Sequence, residues 1–152
     1  MKRLRRTAIV LAALAVAMPL AHVLEMPNKF ALDGTLWLEV QQHLYRGWGP
    51  FLGGPVEVLA LLAAVVFVTV NRETQTRRWM TVAAFAYAGM IAAFFLFNWP
   101  VNDSVMQWTQ ASLPGDWESY RVRWEVGHGL AFLFSVGGLY ATLRAHVRCA
   151  LL

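Results

Sequence analysis

The chain has 152 residues, of which 58% are hydrophobic and only 14% are charged, and its mean hydropathy is +0.46. A soluble domain of this size does not normally reach these values, so lipid is the expected solvent. The net charge of +4 does not indicate nucleic-acid binding, because the basic residues lie in short groups between long apolar stretches. The single cysteine, Cys149, excludes an internal disulfide and a thiolate metal cluster.

Four apolar stretches follow one another along the chain, each close to the ~20 residues that cross a hydrocarbon core. They run over 7–26, 50–70, 80–97 and 124–143. The first follows a basic N-terminus and contains Ala15-Val16-Ala17, so a cleaved signal peptide is the alternative to a retained span. The apolar stretch continues past that site, which favours retention. The sequence therefore predicts an all-α integral membrane four-helix bundle that forms a single domain over 1–152.

Basic residues concentrate at one end of this predicted bundle. The N-terminus, the connection 71–79 and the C-terminal tail with Arg144 and Arg148 together hold nine of the thirteen Lys and Arg residues. The positive-inside rule then predicts a multi-pass protein of the cell (plasma) membrane with both termini in the cytoplasm. Most acidic residues map to the other, outer end. Six tryptophans map there too and are expected to form an aromatic belt: Trp37, Trp48, Trp99, Trp108, Trp117 and Trp124.

Two outer connections, 27–49 and 98–123, are longer than a helical bundle requires and are expected to form a cap. Within the first, Leu36, Val40 and Leu44 recur at helical spacing. Residues 35–46 are therefore predicted to form a short amphipathic cap helix on the outer face, over the mouth of the bundle. Four glycines of the last span are expected to permit close helix packing in lipid: Gly127, Gly129, Gly137 and Gly138.

Ionisable side chains within or at the edge of a span are costly in hydrocarbon and need partners, water or a function. His22 and Glu25 lie three residues apart near the outer end of the first span, and Glu125 and His128 repeat that spacing in reverse order on the fourth. Because these helices run antiparallel, the histidines are expected deeper in the bundle and the glutamates shallower, at matching depths. Glu57 lies about two turns into the second span.

Imidazole and carboxylate groups gathered at one end of a four-helix bundle are the donor set of a divalent metal or a metal pair. The predicted ligands are His22, Glu25, Glu57, Glu125 and His128. Iron, copper, zinc and manganese would all suit this set, and the sequence does not distinguish among them.

Two alternatives to a metal centre remain open. One is a polar clasp, in which His22 pairs with Glu125, Glu25 with Lys29 or His128, and Arg121 with Glu125. The other is a metal-free pocket for an organic substrate or quinone.

Glu57 and His43 are the candidate catalytic residues for proton transfer. Glu57 has no basic neighbour in sequence, and His43 lies on the predicted cap helix, where a surface role is the alternative. Phe94, Phe95 and Phe97 either wall an aromatic pocket or pack against helices and lipid.

Three segments resemble the small four-helix membrane proteins of the anthrone-oxygenase-like superfamily, most of whose members are domains of unknown function. They are Asn98-Trp-Pro-Val-Asn102, Trp117, and Arg121-x-Arg123-Trp124-Glu-x-x-His128. Some relatives are implicated in oxidising polyketide-type anthrones to quinones with molecular oxygen, so the resemblance implies oxygenase activity. It also marks Asn98, Asn102, Arg121 and Trp124 as substrate-binding or structural polar residues. The His and Glu set described above departs from what is expected of such oxygenases.

The sequence therefore predicts a membrane-embedded, oxygenase-like oxidoreductase with a His/Glu metal or polar site at the outer end of the bundle, acting on a lipophilic small molecule. The alternative is a non-enzymatic accessory or small-molecule-binding protein whose polar cluster is structural. Transport is disfavoured, because the inner half of every predicted span lacks ionisable residues. The sequence leaves the oligomeric state open.

Overall fold

The computed structural model describes residues 2–147, and this part of the chain is helical with no strand. Its α-helices are α1 (Lys2–Phe30), α2 (Gly34–Glu39), α3 (Gly54–Val70), α4 (Thr74–Ala93), α5 (Trp99–Val105) and α6 (Trp117–Val147). Three π-helical segments adjoin them: π1 (Val40–Leu44) extends α2, π2 (Gly49–Gly53) leads into α3, and π3 (Phe94–Asn98) joins α4 to α5. Arg148 and Cys149, which the sequence analysis placed in the C-terminal tail, lie outside the described residues.

Four helical stretches are long and apolar enough to cross a membrane: Lys2–Phe30, Gly34–Val70, Thr74–Val105 and Trp117–His146. The chain is therefore a multi-pass membrane protein, and the predicted all-α four-helix bundle is confirmed. Each helical stretch is longer than the apolar stretch predicted for it, because the helices continue through polar residues at their ends.

The four long helices form a ring in which every neighbour runs antiparallel. α1 packs against α3 and α6, and α4 packs against the same two helices. We call the end that carries α2, α5 and the connections 31–53 and 99–116 the cap end. The opposite end, which carries the connection 71–73, is the basic end.

Small side chains fill the interior of the ring. Ala8, Ala12 and Ala15 recur at helical spacing on the buried face of α1, and alanines of the other three helices meet them. Large apolar side chains such as Phe85 and Leu133 point outwards. Small residues inside and large ones outside are expected where lipid surrounds a bundle, because close backbone approach replaces the hydrophobic effect as the source of helix association.

The predicted packing role is confirmed for two of the four glycines of α6. A Cβ atom at Gly138 would meet the ring of Tyr87, and one at Gly127 would meet the side chain of Asn98. For Gly129 and Gly137 the prediction is wrong, because no atom lies within 4 Å of the position of an added Cβ atom. A glycine count along a helix does not show which side faces a neighbour.

The cap is present, but its buried face differs from the predicted one. Leu36 and Leu44 are exposed, whereas Trp37, Leu38 and Gln41 are buried. The buried residues Gly34, Trp37, Leu38 and Gln41 themselves recur at α-helical spacing, so the helix is amphipathic but turns the face with Trp37 and Leu38 towards the core of the cap.

Two of the six tryptophans expected in the aromatic belt lie inside the cap instead. Trp37 is fully buried, and Trp124 is nearly so. Both belong to one apolar cluster with Leu38, Val101 and Val105. The cap therefore has a core of its own.

Gly138→Ala is expected to lower the melting temperature in detergent, while the neighbouring Gly137→Ala leaves it unchanged or raises it. The added methyl at 138 displaces Tyr87, whose hydroxyl lies 3.1 Å from Thr142 Oγ1, and such overpacking costs about 1–3 kcal/mol. Both substitutions gain the same helix propensity, so the difference between them reports packing alone. Equal shifts in the two variants would contradict this packing.

Candidate functional site

At the cap end, α1 and α6 bring His22 and His128 face to face. The two ring centroids are 3.9 Å apart, with 33° between the ring planes. The ring of Trp124 stands edge-on to both, with centroids 4.2 Å from His128 and 4.9 Å from His22. The close approach that the reversed spacing predicted is therefore present.

A buried lysine stands between the two carboxylates of the same helices. Only 3% of Lys29 is exposed, and its Nζ lies 3.0 Å from Glu125 Oε1 and 3.9 Å from Glu25 Oε2. The ammonium group also lies 4.5 Å above the ring of Trp124. From the sequence, Lys29 was expected in an outer loop, and its contact with Glu125 was not predicted. The position of Lys29 four residues after Glu25, on the helix face that carries His22, could have indicated that contact.

Tyr45, just after π1, ties the cap to this cluster. Its hydroxyl donates a hydrogen bond of 2.5 Å to Glu25 Oε2, and its ring meets His22 edge-on at 4.8 Å. We call Glu25, Lys29, Tyr45 and Glu125 the clasp, because they join α1, α6 and the cap.

The clasp differs in its partners from the one that the sequence suggested. The Glu25–Lys29 pair is confirmed, but Glu125 pairs with Lys29 where His22 or Arg121 was expected. Arg121 instead donates hydrogen bonds to the backbone carbonyls of Lys29 (3.2 Å) and Leu32 (2.8 Å). It thereby satisfies carbonyls that the end of α1 leaves without helical partners.

Asn98 and Asn102 hold α6 against π3 and α5. Asn98 Nδ2 donates to the carbonyl oxygen of Trp124 at 2.8 Å, and the indole Nε1 of Trp124 donates to Asn102 Oδ1 at 2.9 Å. The resemblance marked Asn98, Asn102 and Trp124 as substrate-binding or structural residues. Their hydrogen bonds give them a structural role, and Asn102 and Trp124 also line the cavity described next.

A cavity of about 510 Å³ lies beside the histidine pair at the cap end. Its volume falls within the ~300–1,000 Å³ typical of small-molecule sites. Residues of α1, π1, π2, α3, π3, α5 and α6 line it, together with the connection 45–48. They include His22, Tyr45, Trp48, Glu57, Phe94, Phe95, Trp99, Asn102, Trp124 and His128.

The structure treats the two candidate catalytic residues differently. Glu57, in the first turn of α3, lines the cavity, and no other described residue forms an ion pair or hydrogen bond with it. The side chain of His43 is 72% exposed, lies 3.3 Å from Glu39 Oε2, and is not part of the cavity wall. The geometry therefore favours the surface alternative for His43.

The predicted metal centre is not confirmed. Within residues 2–147, no three His, Cys, Asp or Glu side chains form a group that could hold a metal ion. Glu25 and Glu125 face the ammonium group of Lys29, and Glu57 lies on the cavity wall. The five predicted ligands share one end of the bundle without converging on one point.

A protein-family model described as anthrone oxygenase matches residues 42–141, which is more than half of the chain. The chain belongs to the anthrone oxygenase family. No curated protein and no solved structure matches it.

The part that matches the anthrone oxygenase family contains most of the cavity wall but only part of the clasp. The match includes Glu57, π2, π3 and His128. Helix α1, which carries His22, Glu25 and Lys29, precedes it.

Lys29→Met is expected to destabilise the protein strongly, because it leaves the buried carboxylate of Glu125 without its cation. Removal of one partner from a buried ion pair costs about 3–5 kcal/mol. A double Lys29→Met/Glu125→Gln variant should recover part of the loss, since it also removes the stranded carboxylate. Thermal unfolding in detergent measures both.

The matched control is Lys2→Met, because Lys2 is exposed at the basic end. A melting temperature that falls equally in Lys2→Met and Lys29→Met would show that the clasp contributes nothing specific.

Proposed function

We propose that this protein is a membrane-embedded oxygenase that converts the activated methylene group of an anthrone-like aromatic substrate into a carbonyl, with molecular oxygen as oxidant. One observation carries the proposal: Glu57, a carboxylate with no ion-pair or hydrogen-bond partner among the described residues, lines an aromatic cavity inside the part of the chain that matches the anthrone oxygenase family. Aromatic walls such as Phe94 and Trp99 suit a flat ring system.

The proposed reaction has the balance R₂CH₂ + O₂ → R₂C=O + H₂O. Glu57 takes one methylene proton as general base. The electron pair of the resulting delocalised carbanion forms a bond to oxygen, and protonation gives a hydroperoxide. The second methylene hydrogen then leaves as a proton, the O–O bond breaks, and water departs. The carbon is oxidised, and oxygen is reduced to the carbonyl oxygen and water.

In this proposal, two other residues of the cavity wall hold the substrate's oxygen. His128 and His22 line the cavity and present imidazole groups that donate or accept hydrogen bonds. Negative charge that spreads onto a substrate carbonyl after proton removal is stabilised by such a donor. The clasp serves this function indirectly, because it fixes the two helices that carry the histidines.

In the membrane, we place the cap end outside the cell and both termini in the cytoplasm of the plasma membrane. Arg72, Arg77, Arg78 and Arg144 join the basic residues of the N-terminus at the basic end. This charge distribution supports the orientation through the positive-inside rule.

A second candidate function is a non-enzymatic small-molecule-binding or accessory protein. It is supported by the structural bonds of Asn98, Arg121 and Trp124, which account for much of the polar motif without any chemistry. The two functions share the cavity and differ in whether Glu57 removes a proton.

Glu57→Gln is expected to abolish turnover while leaving ligand binding intact. Purified protein in lipid nanodiscs is given anthrone under ¹⁸O₂, and anthraquinone formation, oxygen uptake and label in the new carbonyl are measured. Loss of the general base should lower the rate above the empty-nanodisc background by about 10²-fold or more.

Glu118→Gln is the matched control, because that side chain is exposed and touches only Arg121 among the described groups. Wild-type protein that binds the product anthraquinone but never exceeds the background rate supports the non-enzymatic function. Equal rates in wild type and Glu57→Gln contradict the proposed role of Glu57.

The expectation of a bound transition metal has a separate test. Elemental analysis of purified protein should find near-stoichiometric iron, copper, zinc or manganese, lost in a His22→Ala/His128→Ala variant, if a metal belongs to the site. A metal-free protein with full turnover would contradict that expectation. The steps above do not depend on the outcome.

A further inference from the structure

The cavity has a mouth on the side of the bundle, marked by the lining residues that are also exposed. Pro50, Phe95 and Trp99 form its apolar part, Arg46 and Asp103 form its charged part, and Met106 follows Asp103 at the end of α5. The charged residues belong to the connection before π2 and to α5, nearer the cap. The mouth therefore runs from a charged edge at the cap to an apolar edge deeper in the bundle.

The apolar part of the mouth lies between π2 and π3, which face each other across the second and third spans. A Cβ atom at Gly49 would lie 4.0 Å from the ring of Phe94, so the two segments meet there. Residues 50–53 of π2 and 94–97 of π3 lie within the apolar stretches 50–70 and 80–97 that the sequence predicts as spans, whereas Arg46 and Asp103 lie outside them. The opening therefore faces the lipid around the bundle.

The surface around the mouth is apolar as well. Phe51 and Leu52 of π2 and Leu96 of π3 are largely exposed beside it. Exposed apolar side chains at span height contact acyl chains. An apolar molecule dissolved in the bilayer thus meets a continuous apolar surface from the lipid to the cavity wall.

We propose that the aromatic ligand enters and leaves the cavity sideways, from the lipid phase, through the mouth between π2 and π3, and that Phe95 is the gate. The inference rests on the proposed function for the identity of the ligand. A flat, lipophilic ring system concentrates in the bilayer, so a lateral opening gives it a shorter route than one through the charged edge at Arg46 and Asp103.

Phe95 suits a gate because it borders the opening without supporting the core. It is 57% exposed and belongs to neither buried apolar cluster of the described residues, and its ring lies beside two other rings, with centroids 5.3 Å from Phe94 and 6.2 Å from Trp99. Truncation of a gate lowers the barrier to entry and the barrier to exit together. The association and dissociation rates then rise in parallel, and the dissociation constant changes far less than either.

The test uses full-length protein in nanodiscs and 1,8-dihydroxyanthraquinone as the probe. Binding is followed by stopped-flow quenching of tryptophan fluorescence, since Trp48, Trp99 and Trp124 line the cavity. Phe95→Ala should raise both rates severalfold. Leu96→Ala is the matched control, because Leu96 is the next residue, is 64% exposed and does not line the cavity; it should leave both rates unchanged.

A second measurement varies the lipid content at fixed total probe. Entry from lipid predicts that the association rate follows the mole fraction of probe in the bilayer. Entry from water predicts that it follows the free aqueous concentration.

Two results would each overturn the lateral gate while the proposed function stands. One is an association rate that follows the aqueous concentration of the probe, and the other is a Phe95→Ala variant that changes only the dissociation rate. Absence of quenching in the wild-type protein would overturn both the gate and the proposed function.

Discussion

The rest of the structure depends on one buried cation. The ammonium group of Lys29 lies between Glu25 of its own helix and Glu125 of α6, almost without access to solvent. A charge in such a place is tolerated only when it is paired. The pairing therefore fixes the depth and rotation of α1 against α6. This arrangement of the two helices in turn sets the positions of His22 and His128. Tyr45 then fixes the cap to the same group through its bond to Glu25.

Beside this fixed pair of helices, irregular backbone leaves room for a ligand. π2 and π3 interrupt the regular winding at the cap ends of the second and third spans, and such segments often occur at functional sites. Asn98 and Asn102 hold the second of these segments and α5 against α6. The result is a cavity whose wall includes His22, His128 and the exposed ring of Phe95. Glu57 supplies the carboxylate on its α3 side.

The sequence predicted those features that depend on local spacing or on hydropathy. The four spans follow from apolar length, and the approach of His22 to His128 follows from two i,i+3 pairs on antiparallel helices. Lys29 was missed because hydropathy ends the first span at residue 26, whereas the helix continues through Pro27 to Phe30. A charged residue past a proline looks like a loop residue until its partner on another helix is known.

Other features lay beyond sequence reasoning because they depend on tertiary contacts. Two faces of the cap helix carry apolar side chains, and which face is buried depends on the partners that Trp37 and Leu38 find on α5 and α6. Gly137 and Gly138 are neighbours of the same type, yet only the second faces Tyr87. The cavity wall draws on seven helical elements, so its existence depends on how those elements pack. The resemblance indicated the family correctly, but of the four polar residues that it marked, Asn102 and Trp124 line the cavity and Asn98 and Arg121 do not.

The binding of an aromatic ligand in this cavity is tested most directly by an experimental density map of the full-length protein in lipid nanodiscs, saturated with 1,8-dihydroxyanthraquinone. We expect planar density in the cavity beside Phe94, with one oxygen near His128 and the ring edge near Glu57. Density confined to the lipid-facing surface, or a cavity that the ligand leaves empty at saturation, would contradict it.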